Sequence, residues 1–596
     1  MKHCKKLLAI LLCMTLVIAS VTTISNASLT SSITSTKASR VAFGNKINDI
    51  IQSVVMGVCK AYPAPRSWKN ISDYDGTYVY DSEDGRAAYL TTASDGMSWK
   101  VGYASGSIIP DDFEAGKYYI GRQLNVTESG KAQGILDDQR VRVICLDDNS
   151  GNGAVIIAVV DGLGITSNTI RKIRESCADL TKSGKIAAIN VSATHCHSAL
   201  DTQGVSTALL SVLANNVLTN LMGKERAATD NDYFIETLIK VTTEKIKEAY
   251  NGMKEGKLYY DVADTASMAV DKRHYIDSEN LADAGVLRFE PNDKSKGTYL
   301  IDYTCHPTNI NAGAGLVSSD YVFYTDQAFQ RAGYNFIMAQ GAVGQVSRKN
   351  LVIENADSYL AASSELITKI KQNVGEELYE SSKCENAAVY GEAVAELILK
   401  ARNDSRSEEE LKPILNAKYT YTQFTTDNYT LNLACRCRLV DNEVYRTGNG
   451  FNDICLPSEI GYLEFGGRVA FGLFPCELYP EVFGGMGMVT NDINNYSWDG
   501  SSWNIKSAQK MVKQGVDVYA VCFANDYIGY VVPDNFYSGW GHWAVDGSDV
   551  ANFEYDPNAS IFDYAFRGTA DQILSAGKHC ASQIMGGFEK LVNIPT

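Results

Sequence analysis

Hydrophobic and polar positions follow a repeating order along the chain from about residue 97 onward. A short run rich in Val, Ile and Ala comes first, then a polar loop, then a segment whose apolar residues have helical spacing. Residues 154–160 and 185–191 have the length and β-branched content of buried strands, and 233–251 has the spacing of a long amphipathic helix. This alternation predicts an α/β fold of mixed β-sheets flanked by helices.

Residues that can bind metals stand where several of these apolar runs end. His195, His306 and Glu477 each follow a different run, and tyrosines at 527 and 530 follow a fourth. Because loops that bind ligands gather at the carboxyl ends of strands in α/β sheets, the pattern predicts a metal site at this edge.

The pair His195-Cys196-His197 is the first candidate for such a site. On an extended segment, residues two apart face the same side, so both imidazoles could address one centre while Cys196 points away. A lone pair of this kind is equally compatible with a polar loop. Its place after an apolar run, among hydroxyl side chains that can orient the rings, favours ligation.

His306 and Glu477 could complete the set. As a single histidine, His306 could also be a hydrogen-bonded structural residue, and Pro307 stiffens its backbone. Glu477 stands in apolar sequence, where a buried carboxylate needs a partner or a metal. Two histidines and one carboxylate form a common catalytic zinc set with one position open for water.

The amino terminus predicts the compartment. Residues 1–27 combine a basic start, an apolar run and a small-residue stretch, which is typical of a cleaved secretory signal. A membrane anchor is the alternative, but the apolar run is short for a span. We therefore expect a secreted or cell-envelope protein.

Charge and cysteine content narrow the partners and the redox state. The formal net charge is −16, and it becomes −19 once Lys2, Lys5 and Lys6 leave with the signal. An acidic protein is repelled by phosphate backbones, so we expect no nucleic-acid partner. Twelve cysteines remain after the signal, and most lie in apolar runs, which favours buried free thiols over disulfides.

Several motifs, in order, resemble the neutral/alkaline non-lysosomal ceramidase family. They are SATHCHS, CHPTN, AQGAVGQVS, LFPCELYPE and ANDYIGYVVP, preceded by VGYASGSIIPDDF, GILDDQRVRVICLDD and VVDGLGI. The resemblance runs from about residue 97 to about residue 540. It implies a Zn²⁺-dependent amidase of the type that cleaves the N-acyl bond of sphingolipids.

The resemblance also implies the metal ligands. Carried over by position, they are His195, His306, Glu477 and Tyr530, with Tyr527 as the competing tyrosine.

Three further residues are implied to act on the substrate. His197 would face the substrate carbonyl. Ser347 matches the family's serine and could be a nucleophile, although we favour a hydrogen-bond donor because no base beside it is evident. Arg273 matches the family's arginine, with Lys272 as its rival. His197 and Arg273 could supply fixed donors to a tetrahedral oxyanion.

The expected organisation is a signal peptide over 1–27, an amino-terminal extension over 28–96 and a ceramidase-like catalytic domain over 97–596. About 66 residues follow Tyr530, so we expect a divergent bacterial-type member without the family's carboxyl-terminal domain. Departures in the flanking residues, Gln345 and Arg348 among them, separate it from the typical motif.

We therefore expect an exported zinc-dependent hydrolase that acts on a small lipid or amide substrate, with possible peripheral contact with membranes or micelles. The oligomeric state is left open by the sequence. One alternative is a zinc hydrolase of another amide or ester. A second, from a different class, is a non-catalytic cell-surface binding protein derived from this fold.

Overall fold

The structure is a computed structural model in which only part of the chain is described. It describes Pro65, Tyr537, six residues between 215 and 229, and the ranges 68–74, 89–121, 130–206, 231–271, 283–349, 355–401, 408–426, 428–448, 454–485, 503–535 and 574–593. The predicted signal peptide, most of the predicted extension, Lys272 and Arg273 lie outside these residues.

Strands and helices alternate along the described residues. The strands are β1 Trp99–Ser107, β2 Gly134–Ile135, β3 Arg140–Asp147, β4 Ala154–Val160, β5 Ile186–Ala193, β6 Lys254–Asp264, β7 Ala269–Asp271, β8 Asp283–Pro291, β9 Gly297–Tyr303, β10 Leu316–Val317, β11 Tyr334–Gln340, β12 Val346–Arg348, β13 Glu409–Glu410, β14 Leu415–Thr425, β15 Cys455–Phe465, β16 Val469–Leu473, β17 Glu477–Leu478, β18 Asp517–Val521 and β19 Tyr530–Val531. The α-helices are α1 Ser167–Ser176, α2 Ala178–Thr181, α3 Asp232–Asn251, α4 Tyr321–Arg331, α5 Ala356–Ala362, α6 Ser364–Val374, α7 Glu376–Ser382, α8 Cys384–Ala401, α9 Tyr429–Arg436, α10 Pro480–Gly484, α11 Ala508–Met511 and α12 Cys580–Val592.

Two mixed sheets organise these elements. The larger has the order β11-β9-β8-β6-β1-β3-β4-β5, with β13 added beside β6. The smaller has the order β14-β15-β16-β18. The pairs β4–β5, β9–β11 and β16–β18 are parallel, while their neighbours are antiparallel. The predicted mixed α/β class is thereby confirmed.

The two sheets face each other across an apolar core, and helices cover their other faces. Side chains from β3, β4, β8 and β9 of the large sheet meet side chains from β15, β16 and β18 of the small one in a single buried cluster. Helix α3 packs on β1 and β3, and α12 packs on β14 and β15. Because β4 is buried along its whole length, its sequence is a continuous apolar run without alternation.

The cysteines and helices bear on two expectations from the sequence. All eleven cysteines among the described residues are buried and free, as predicted; Cys59 lies outside them. None of the helices in the described part of the chain combines the length and the apolar character needed to cross a membrane.

Asp302 is an acid in the apolar space between the sheets. It lies two residues after Leu300 on β9 and is 3% exposed. Its strand partner Gly285 has no side chain, which leaves room for the ring of Tyr519. Among the described residues its Oδ2 atom has no hydrogen-bond partner. Burial raises the pKa of the Asp302 carboxyl well above its ordinary value, because a buried site disfavours the charged form.

We expect Asp302→Asn to gain thermal stability relative to the wild type as the pH rises. Well below pH 4, the carboxyl is protonated in both states. Above that, the unfolded chain ionises while the buried group resists, so wild-type stability falls until the pH passes the folded pKa. The Tm difference between variant and wild type should grow by about 2 °C or more from about pH 5 to about pH 8.

The control is Asp293→Asn. The pKa of exposed Asp293 is lowered by its bond to Lys254, so this variant should show no gain as the pH rises. An Asp302→Asn advantage that is independent of pH would contradict the assignment of a neutral buried acid.

Candidate metal centre

Two imidazoles reach one point from the ends of two strands. His195 follows β5 and His306 follows β9, and their ring centroids are 4.9 Å apart. The Nδ1 atom of His195 lies 2.7 Å from the carbonyl oxygen of Leu163, and that of His306 lies 2.7 Å from the carbonyl oxygen of Val346. A carbonyl oxygen can only accept, so Nδ1 donates and Nε2 carries the lone pair that a metal needs.

Glu477 brings a carboxylate to the same point. It begins β17, which follows β16, and its side chain is completely buried. Its Oε2 atom lies 3.2 Å from Nε2 of His195, and its Oε1 atom lies 3.0 Å from Nε2 of His306. Both carboxylate oxygens and Nε2 of His195 nevertheless have no partner among the described residues that meets hydrogen-bond geometry. Such buried, unsatisfied atoms are what a cation between them would satisfy.

The protonation states suit metal ligands. Burial by itself would raise the pKa of the Glu477 carboxyl, but the adjacent His195 and His306 outweigh it and hold that pKa well below its usual range. Burial lowers the pKa of His306, with Glu477 opposing the shift. The arrangement therefore favours a carboxylate beside a neutral imidazole, and these are the forms that bind metals.

His197 joins the two other histidines, though not for the reason that the sequence suggested. Strand β5 ends at Ala193, and His195 has a left-handed backbone with φ 63°, so the segment is not extended. The His195 and His197 rings are nevertheless 4.8 Å apart, and their ligand nitrogens and that of His306 lie within 4.8 Å of one another. Cys196 does point away, toward the carbonyl oxygen of Ser318 at 3.1 Å.

The two candidate tyrosines have different surroundings. The ring of Tyr527 lies 6.2 Å from that of His195. Burial, and after it the nearby charge of the Glu477 carboxylate, raises the pKa of Tyr527 well above its ordinary value. Tyr530 is the backbone partner of Glu477 in the β17–β19 pair, and its ring packs edge-on against Tyr479 at 6.4 Å.

Of the other predicted site residues, Ser347 is among the described residues, whereas Arg273 and its alternative Lys272 are not. Ser347 lies in β12 beside Val346, whose carbonyl oxygen orients His306, and its buried Oγ atom has no hydrogen-bond partner among the described residues. Its neighbour Gln345 has a left-handed backbone with φ 66°. Arg273 and Lys272 lie outside the described residues.

Several residues at the site escaped the sequence analysis. Phe523 stacks on His195 with a centroid distance of 4.2 Å and an angle of 10° between the rings. A Cβ atom on Gly164 would lie 2.8 Å from the ring of Tyr527, so only glycine allows this close approach. The roles of Leu163 and Val346 could not be predicted from their residue types, because each orients a histidine through its backbone carbonyl oxygen. The only hint in the sequence was that Gly164 belongs to the VVDGLGI motif and that Phe523 directly precedes the ANDYIGYVVP motif.

The donor set fits a small divalent cation. Ligand atoms about 2.0–2.1 Å from a tetrahedral zinc lie about 3.3 Å apart, close to the 3.0 and 3.2 Å between Glu477 and the two imidazoles. Nitrogen and carboxylate donors suit zinc and its neighbours in the first transition row. The described residues thus bring together a buried group that could hold a metal.

The fold and this cluster together define a mixed α/β protein with a candidate metal centre where strand ends meet. Two solved structures share this fold. A neutral ceramidase from Pseudomonas aeruginosa aligns with a TM-score of 0.50 at 13% identity, over 82% of this chain and 75% of that one. A ceramidase complexed with C2 aligns with a TM-score of 0.51 at 13% identity, over 83% and 75%. No protein-family profile matches the sequence, and no curated protein matches it significantly.

We expect His195→Ala to lose the bound metal. The wild type should carry about one divalent ion per chain, because the buried oxygens of Glu477 need a cation. The measurement is metal analysis of the purified protein after dialysis. His579→Ala is the control, since that histidine is exposed and its ring lies 3.3 Å from the carboxylate of Asp534. Equal metal content in wild type and His195→Ala would contradict the assignment of a metal site to His195.

Proposed function

We propose that this protein is an exported zinc-dependent hydrolase that cleaves an amide bond, with the N-acyl bond of ceramide-like lipids as the first substrate class. The observation that carries the proposal is the convergence of His195, His306 and Glu477 on one buried point. There both Glu477 oxygens and Nε2 of His195 have no hydrogen-bond partner among the described residues. With both imidazoles neutral and no cation present, the buried Glu477 carboxylate would face two nitrogen lone pairs and be poorly compensated.

We assign the metal to His195, His306, Glu477 and Tyr527. We choose Tyr527 over Tyr530, which the sequence resemblance favoured. The Tyr527 ring lies 6.2 Å from that of His195 and its phenol is near the Glu477 carboxylate, whereas the Tyr530 ring packs on Tyr479. Zinc in such a site lowers the pKa of bound water toward neutrality and polarises an acyl oxygen. The two imidazoles are already in the required tautomer, which spares reorganisation on binding.

The remaining groups act on the substrate. His197 is less buried than His195 and borders the same cluster, so it is placed to hydrogen-bond an acyl oxygen as negative charge develops there. Ser347 has an uncommitted hydroxyl that can position water or substrate. Arg273 remains the proposed cationic donor on the strength of the sequence resemblance.

Two likenesses support the substrate class. The ordered motifs resemble ceramidases, and the fold is shared with solved ceramidases at 13% identity. The signal-like pattern of residues 1–27 supports export, and a lipid substrate would entail peripheral contact with membranes or micelles. No nucleic acid is expected as a partner, given the formal net charge of −16.

The test is release of fatty acid from a panel of N-acyl lipids, with matched acyl esters as a second panel. We expect turnover of N-acyl sphingoid lipids that is lost on chelation and restored by zinc, while His197→Ala lowers kcat by about 100-fold or more. Turnover that survives chelation would exclude the zinc mechanism. Hydrolysis confined to the ester panel would correct the substrate class.

The tyrosine assignment has its own test. Tyr527→Phe removes a ligand oxygen, so we expect zinc affinity to fall by about 10-fold or more. Tyr530→Phe should leave zinc affinity within about twofold of the wild type. Affinity is measured by competition with a chromogenic chelator. The opposite order of effects would return the assignment to Tyr530.

A further inference from the structure

The segment that carries Tyr527 has an uncommon backbone. Phe523 and Asn525 both have left-handed conformations, with φ values of 55° and 64°. A side chain other than glycine disfavours this region, so such residues persist only where surrounding contacts over-determine them. The contacts that hold this segment therefore matter for the position of Tyr527.

The two residues before Tyr527 are each held by other elements. Asn525 accepts a hydrogen bond from the backbone of Val191 at 3.1 Å and donates to Glu459 at 2.6 Å. Asp526 accepts from the hydroxyl of Ser458 at 2.7 Å and from the backbone of Ser167 at 2.8 Å. These bonds fix the approach to Tyr527 but do not reach its own carbonyl group.

Asn442 supplies that contact from a separate loop. Its Nδ2 atom donates to the carbonyl oxygen of Tyr527 at 3.0 Å and to Oδ1 of Asp526 at 2.8 Å. One amide therefore bridges the backbone of the tyrosine and the side chain that precedes it.

The loop of Asn442 is anchored without the help of that amide. Asp441 accepts from Asn168 at 3.1 Å, and Glu443 forms a two-pronged pair with Arg171 at 2.5 and 2.8 Å. Both partners lie on α1. Since the flanking residues hold the loop in place, loss of the Asn442 amide should release Tyr527 and leave the loop where it is.

A shift in the Tyr527 backbone would move its phenol. One side of the ring is closed by Gly164, where even a Cβ atom would lie 2.8 Å away, and the ring of Phe523 packs at 5.5 Å. A ring confined in this way has little freedom to rotate, so displacement of its backbone changes the distance between its oxygen and Glu477.

We propose that Asn442 is a positioning residue that holds Tyr527 in place as an oxygen ligand of the metal centre. The inference rests on the proposed function in one respect, that Tyr527 contributes its oxygen to a bound zinc ion. Asn442 itself touches neither metal nor substrate.

The first test is a double-mutant cycle on zinc affinity, measured by chelator competition. We expect Asn442→Ala to weaken zinc binding by about 10-fold, the usual effect of losing a residue that supports a ligand. In a Tyr527→Phe background the same substitution should change affinity by less than about twofold, because its effect passes through the tyrosine. Additive losses would overturn the proposal.

The matched control is Asn168→Ala. It removes an amide bond to the same loop, at Asp441, without touching Tyr527. Zinc affinity should stay near the wild-type value. A loss equal to that of Asn442→Ala would assign the effect to the loop as a whole and contradict a specific role for Asn442.

The second test needs no metal. In metal-free protein, amide hydrogen exchange over residues 523–530 should speed up by about 10-fold or more in Asn442→Ala and stay unchanged in Asn168→Ala. Unchanged exchange in Asn442→Ala would refute the proposal whatever the zinc result. A wild type that binds zinc and shows the coupling, yet hydrolyses no amide, would refute the proposed function alone.

Discussion

The carboxylate of Glu477 is buried between two imidazoles, and the need to stabilise this buried charge constrains the structure around it. A buried charge is costly unless it is paired or bound to a metal, so the groups around it cannot be arranged freely. His195 and His306 approach it within 3.2 and 3.0 Å, and each is oriented by a backbone carbonyl group from another segment. Strand ends from both sheets must therefore keep their relative positions to within a fraction of an ångström.

Unusual backbone conformations help to position the groups around Glu477. His195 and Phe523 are both left-handed, and their rings stack at 4.2 Å. Gln345, close to Ser347, is left-handed as well. Conformations of this kind concentrate at functional sites because the surrounding structure holds them there. Asn442 and Gly164 contact Tyr527 in turn, so they help to fix the position of a residue that could bind the metal.

The positions of several strands and of one long helix along the chain could be predicted from the sequence. Strand β4 has the bounds of the apolar run at 154–160, and the long helix predicted over 233–251 is α3, Asp232–Asn251. Such runs bury apolar surface whatever their partners, so local sequence is enough. Placement of His195, His306 and Glu477 just beyond strand ends could be predicted for the same reason. The choice between Tyr527 and Tyr530 could not, because the two tyrosines are three residues apart in one motif and differ in their tertiary surroundings.

By itself the sequence determined which residue types could bind a metal, their order along the chain and the mixed α/β class, since these depend on local composition and periodicity. Tertiary structure alone decided that Glu477 lies between the two imidazoles and that Phe523 covers His195. It also decided that the histidine pair converges through a left-handed turn and not along an extended strand. Glu477 and Phe523 are hundreds of positions from His195 along the chain, and only the packing of the two sheets brings them to it. The turn of the histidine pair is accompanied by the contact of His195 with Leu163, 32 positions away.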